Sequence, residues 1–373
     1  MDKKKIRVLQ PTDWSFKPMD DYIDQGGAAF SVSRFGYEIL KDEFDYEYIV
    51  PNHDKWYAKL LHKLLKLEGD NLLLQLEVIR KSKNFDVVYY SADRHPYLIS
   101  LARKMKIIKT PILMLCHFSY DDTCVKQPIK KAILRLERKF VFSGIDQLMF
   151  NCENLMNLAI KHAALPERHQ ILSGWGADIA YFSKGDQDKY KDIGPYYFAA
   201  GGANRDYHTL IEAFRRLDDT LVLSCPISVI EEEAPLPDNI IHFNYKKFGM
   251  DAYDMLRSYY LGCKAVLIPV KYPNHVANGA SVMAEAMACG KPVIASDLPT
   301  NFVDIKKEGI GKVVKMWDSR DWIATINGLS DSELELMGKR SFELANKQYN
   351  YFLLAQNVGR EICKLGGKNE ENS

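Results

Sequence analysis

The stretch 278–296, NGASVMAEAMACGKPVIAS, holds the chain's most chemically informative residues. Asn278, Gly279, Ala280 and Ser281 are small enough to open a helix close against a ligand. The first turn of a helix points unpaired backbone N–H groups outward, a natural seat for a phosphate. One turn further in, Glu285 stands within a run of Ala and Met. A carboxylate in such a setting is costly unless something answers it. Two partners would do so: an Arg or Lys of the fold, or the paired hydroxyls of a ribose held bidentately. A second cluster, Gly201-Gly202-Ala203-Asn204-Arg205, follows an apolar strand pattern. A glycine turn there delivers an arginine, whose planar fork suits phosphate oxygens.

These groups need a frame that brings strand ends and helix starts together. Short apolar runs rich in β-branched residues alternate with amphipathic stretches, the pattern of parallel α/β architecture. Strands are predicted over 6–9, 46–50, 86–90, 111–116 and 147–151, with helices at 28–41, 55–81, 95–104, 126–142 and 153–163. A second series has strands at 196–200, 220–224, 240–243, 265–269, 292–295 and 312–314, with helices at 207–217, 252–262 and 281–288, and a terminal helix over 343–365. Gly174-Trp175-Gly176 and the charged stretch after it read as a hinge and linker. The expectation is an α/β protein of two Rossmann-like βαβ domains facing a cleft. The first spans 1–178 and the second 179–345; the helix 346–365 packs back on the first, and 366–373 is a disordered tail. Ligands of open parallel sheets bind at the carboxyl ends of strands, so the cleft is the expected site.

The run from Gly279 to Ser296 resembles the donor-binding motif of glycosyltransferase family four (glycosyl transferases group 1), enzymes of the GT-B fold. That motif runs from a first Glu through Gly-rich residues to a second Glu, then Ala-Met-Ala-x-Gly-x-Pro-Val-Ile-Ala-Ser. Ser173-Gly-Trp-Gly-Ala-Asp178 with Phe182 resembles the family's hinge, and 197–214 its second domain's first strand, glycine turn and helix. The resemblance implies a nucleotide-diphosphate sugar as donor (UDP-, GDP- or dTDP-linked), a hydroxyl acceptor on a glycan, lipid-linked glycan or small molecule, retention of anomeric configuration, and no required metal. It implies a donor-binding set of Gly26, Gly27, Gly202, Arg205, Asn278, Gly279, Ala280, Ser281 and Glu285, with His117 and Arg205 as catalytic residues. Two positions depart from the pattern. The family's first glutamate falls on Ala277, so recognition of the sugar passes to His275, Asn278 or backbone N–H groups. The family's Gly-Arg pair is Gly202-Ala203 here, and Lys271 is a candidate for the missing charge.

Composition narrows the alternatives. Lys plus Arg number 50 against 49 Asp plus Glu, a net charge of +1, which gives no global attraction to nucleic acid. The start lacks the apolar core of a signal peptide, and no window approaches the length of apolar chain that spans a bilayer. The seven cysteines are scattered singly and read as buried thiols of a cytoplasmic protein. Asp186-Gln-Asp188 matches the metal motif of another glycosyltransferase fold but lies in a charged linker and reads as a solvated loop. Phosphate-loop, dinucleotide and nucleophile-elbow motifs are absent, which argues against a kinase, a standard dehydrogenase or a hydrolase. Two basic runs, Lys55, Lys59, Lys63 and Lys66, then Lys126, Lys130, Lys131, Arg135, Arg138 and Lys139, interleave with Leu and Ile. They read as solvated helix faces or as a peripheral contact with anionic lipid. Competing functions are an epimerase or phosphorylase on the same fold, or a degenerate transferase acting as a scaffold, which Ala277 would favour. An inverting reaction would need a general base, for which Asp13, Asp24 and Asp93 are the acids placed near strand ends or the first helix.

Overall fold

A computed structural model describes residues 5–12, 15–24, 34–50, 69–91, 96–116, 125–163, 170–273, 279–298 and 301–367. The chain divides into two compact units. One comprises Met1–Asp20, Ser33–Gly174 and Leu354–Ser373, the other Asp21–Val32 and Trp175–Leu353.

In the first unit the strands are β1 (Arg7–Pro11), β2 (Asp45–Ile49), β3 (Val87–Tyr90), β4 (Ile112–Cys116), β5 (Gln147–Phe150) and β6 (Gln170–Leu172). They form one parallel sheet in the order β2-β1-β3-β4-β5-β6. Strands covered by helices on both faces must be apolar throughout, and β3 (VVYY) and β4 (ILMLC) are buried at every residue. The end of the chain completes this unit. Leu354, Ala355, Val358 and Ile362 are fully buried. A Cβ placed on Gly36 would lie 3.2 Å from the Cα of Ala355, and one on Gly359 would lie 3.4 Å from Leu40. The last helix therefore packs closely on Tyr37–Glu43.

The second unit has β7 (Tyr196–Ala200), β8 (Thr220–Ser224), β9 (Ile240–Phe243), β10 (Val266–Ile268), β11 (Val293–Ser296) and β12 (Gly311–Val314). All pairings are parallel, in the order β12-β11-β10-β7-β8-β9. The chain runs outward through β7, β8 and β9, then returns to the other side of β7 for β10. The gap between β7 and β10 is thus the topological switch point, where sheets of this kind bind ligands. Tyr197, Leu221, Leu223, Leu267 and Ile294 pack from the strands against Leu210, Phe214 and Trp322 of the covering helices.

Two expected helices differ: the one predicted over 28–41 starts, among the described residues, at Tyr37 behind a left-handed Gly36 and runs to Glu43. The single helix predicted over 343–365 is two, Asp331–Gln348 and Tyr351–Gly367. Tyr349 leaves helical geometry (φ −122°, ψ 56°), and the Asn350 side chain accepts the Leu353 N–H at 2.9 Å. Asn350 is a helix N-cap inside what reads as one continuous amphipathic pattern.

Candidate functional site

The loops leaving β7 and β10 are laced together. Asn204, at φ +53°, accepts the Tyr272 N–H at 2.9 Å and donates to the Tyr272 carbonyl at 2.8 Å through its side chain. The Lys271 N–H donates to the Asn204 carbonyl at 3.3 Å, and the Asp206 N–H to the Pro269 carbonyl at 3.2 Å. Asp206 then caps the helix Tyr207–Phe214.

This lacing fixes Arg205, which is only 9% exposed. Its Nε donates to the Ala200 carbonyl at 3.3 Å and its Nη1 to the Ala203 carbonyl at 3.0 Å. Among the described residues it has no ion pair. Its Nη2 would stand 3.3 Å from a Cβ on Gly201 and 3.5 Å from one on Gly279. The guanidinium therefore lies directly against the opening of the helix Ala280–Ala288.

That helix is positioned by glycines at both ends. Gly279, its N-cap, has φ +76°, and a Cβ there would come within 2.6 Å of Ile268 Cγ2 at the end of β10. At the far end Gly290 (φ +67°) donates to the Met287 carbonyl and Lys291 to that of Ala286, a Schellman closure. Ala280, Met283, Ala284, Ala286 and Met287 are buried, while Ser281 and Glu285 keep partial exposure.

Tyr260, fully buried at the end of the helix Ala252–Gly262, donates its hydroxyl to Glu285 Oε2 at 2.9 Å. Among the described residues Glu285 has no cationic partner. Burial pushes its carboxyl from 4.5 up to about 7, against the lowering effect of the Tyr260 bond. The Tyr260 hydroxyl is itself held well above its usual range by burial and by the charge of Glu285, while Arg205 pulls the other way. Tyr260 thus feels both Glu285 and Arg205.

Beside them opens a cavity of about 540 Å³, lined in part by Gly202, Arg205, Lys271 and Tyr272 and by the glutamates 231–233. Glu233 is paired with His208 at 2.6 Å. Arg205 and Lys271 bring two cations to this cavity from the strand-end loops, alongside Asp206 and the three glutamates.

Of the residues singled out in the sequence, Gly202, Arg205 and Lys271 line this cavity, and Gly279, Ala280, Ser281 and Glu285 sit on the helix that opens against Arg205. Gly26, Gly27, His117, His275, Ala277 and Asn278 lie outside the described residues, as do Asp13, Asp93, Lys55, Lys59, Lys63 and Lys66. Asp186 accepts the Asp188 N–H at 2.9 Å in an exposed turn. Of the described cysteines, all but Cys363 are buried. Tyr260 was not legible in the sequence: it is one of two adjacent tyrosines in an ordinary helix, and only packing reveals its partner.

Residues 196–347 match the family described as Glycosyl transferases group 1. No curated protein matches the chain. Among solved structures, HepE from Anabaena in complex with UDP-glucose is 14% identical, with a TM-score of 0.67 over 96% of this chain and 100% of that one. Sucrose-phosphate synthase from Thermosynechococcus elongatus is also 14% identical, with a TM-score of 0.72 over 98% and 100%. A UDP-N-acetylglucosamine 2-epimerase is 13% identical, with a TM-score of 0.58 over 98% of each chain. Likeness at this identity establishes the fold: two Rossmann-like units of the GT-B kind, with the group 1 match in the second.

Proposed function

We propose that this chain, whose residues 196–347 match glycosyl transferases group 1 on a GT-B fold, moves a sugar from a nucleoside-diphosphate donor to a hydroxyl acceptor. The observation that carries the reading is Glu285. It is a carboxylate with a tyrosine and no cation as partner among the described residues, set just behind a helix opening that meets an arginine. A ribose diol would supply the missing partners, donating two hydrogen bonds to the carboxylate. The same nucleotide then brings its diphosphate to the Gly279–Ser281 backbone and Arg205, with Lys271 as a second charge.

The chemistry follows from that pose. As the anomeric C–O bond breaks, its electron pair passes to the departing diphosphate, and the acceptor hydroxyl forms the new bond while its proton passes to an oxygen of that diphosphate. Fixed donors aimed at the growing negative charge lower the barrier, because they need no reorganisation as the charge forms. We read the transfer as retaining, as the family resemblance implies. HepE is seen with UDP-glucose, so a UDP-linked sugar is the first donor to try.

Ala277 favours one second reading, a nucleotide-sugar-binding scaffold without turnover. Incubation with UDP-, GDP- and dTDP-sugars and a panel of hydroxyl acceptors separates these. Acceptor-dependent release of nucleoside diphosphate, lost in Glu285→Ala, is the expected result. Binding without release across the panel would favour the scaffold, and isomerisation of the nucleotide sugar alone would mark an epimerase.

A further inference from the structure

In the first unit the helix Pro128–Phe142 carries a second apolar stripe on its outer face. Its apolar residues Ile129, Ile133 and Leu136 recur at helical spacing, yet they are 76%, 60% and 71% exposed. The side that packs inward ends at Val141 and Phe142, the only residues of the helix that are buried. The exposed stripe continues onto the neighbouring helix. Lys104 Nζ sits 4.4 Å from the centre of the Phe140 ring, and the Tyr97 hydroxyl bonds to Glu137. On that side Leu101 is 44% and Met105 63% exposed. Contiguous apolar surface of this kind marks an interaction site.

Charge says what covers it. Lys104, Lys106, Lys126, Lys130, Arg135 and Lys139 are all exposed around the stripe. Glu137 is the acid on the same helix. A chain of net charge +1 has therefore gathered cations around an apolar strip. Among the described residues no helix is long and apolar enough to cross a membrane. A surface helix with outward aliphatics between basic flanks is built to lie in the headgroup region of an anionic bilayer, aliphatics in the acyl boundary and cations at the phosphates.

We propose that this face, centred on Ile129, Ile133 and Leu136, seats the protein on an anionic lipid surface. The inference is independent of the transferase reading and could fail without it.

Cosedimentation of the full chain with phosphatidylcholine vesicles, with and without phosphatidylglycerol, tests it. Binding is expected only where phosphatidylglycerol is present. It should weaken at least about tenfold when salt rises from about 0.1 M to about 1 M and the screening length shrinks from ~10 to ~3 Å. Ile129→Gln with Ile133→Gln and Leu136→Gln should lose binding at least about tenfold while the melting temperature and nucleotide binding hold. Should that variant fold poorly, Lys130→Gln with Lys139→Gln carries the test with the same expected direction. No pelleting with phosphatidylglycerol vesicles, or pelleting of the variants equal to wild type, would overturn the proposal. So would a dimer in sedimentation velocity that the glutamine variant dissolves, which would assign the face to a second copy of the chain.

Discussion

An ionised carboxylate accepts hydrogen bonds from two hydroxyls more strongly than a neutral carboxyl does, so donor binding through a Glu285 that titrates near neutrality should depend on pH. In the free protein its pKa is raised from 4.5 to about 7, burial being the cause. The folded state then holds the proton more tightly than the unfolded chain. The stability this contributes is complete below pH 4.5 and is lost as pH rises through about 7. The donor works in the opposite sense, favouring the ionised form. Donor affinity should rise as pH increases through 7, with a limiting slope of about tenfold per unit below it. Calorimetric titration across this range checks the slope, and a flat profile would contradict the role. Tyr260→Phe removes the bond that lowers this pKa, so the midpoint of the profile should move upward. Glu285 and Arg205 could be singled out in the sequence because the segments that hold them, 279–296 and 197–214, resemble the family's donor-binding motif and glycine turn. Tyr260 was not, because nothing in its spacing marks a phenol that meets a carboxylate across two helices.

Among the elements, the helix Ala280–Ala288 decides the geometry, and its start depends on one residue without a side chain. Gly279→Ala would place a Cβ at φ +76° and 2.6 Å from Ile268 Cγ2. Left-handed backbone and overpacking together should cost about 2–4 kcal/mol. Thermal unfolding should report that loss, and nucleoside diphosphate affinity should fall with it, because the displaced helix start carries the phosphate-facing N–H groups. Unaltered stability and affinity would mean that the opening is not built as described. Much of the second series of strands was readable almost to the residue, as in β7 and β8, because strands buried on both faces read as nearly unbroken apolar runs. The three-residue β6 was not, being too short to show a pattern. The break at Asn350 was missed because a polar cap between two amphipathic stretches does not interrupt their periodicity.

Over the whole chain, the last helix belongs to the first unit although it follows the second in sequence. Truncation after Leu353 would remove Leu354, Ala355, Val358 and Ile362 from the core. Hydrogen exchange should then show lost protection in β1 to β4 while β7 to β12 keep theirs; loss confined to the second unit would contradict the division. The central claim, that Glu285 grips the ribose of a nucleotide donor, is tested most directly by a paired deletion. Wild type and Glu285→Gln are titrated with a nucleoside diphosphate and with its 2′,3′-dideoxy analogue. Hydrogen bonds to a charged group contribute about 1.5–3 kcal/mol each, so wild type should prefer the ribose form by roughly tenfold or more. The variant should bind both ligands equally and weakly. A variant that keeps the wild-type preference for the ribose form would contradict the account.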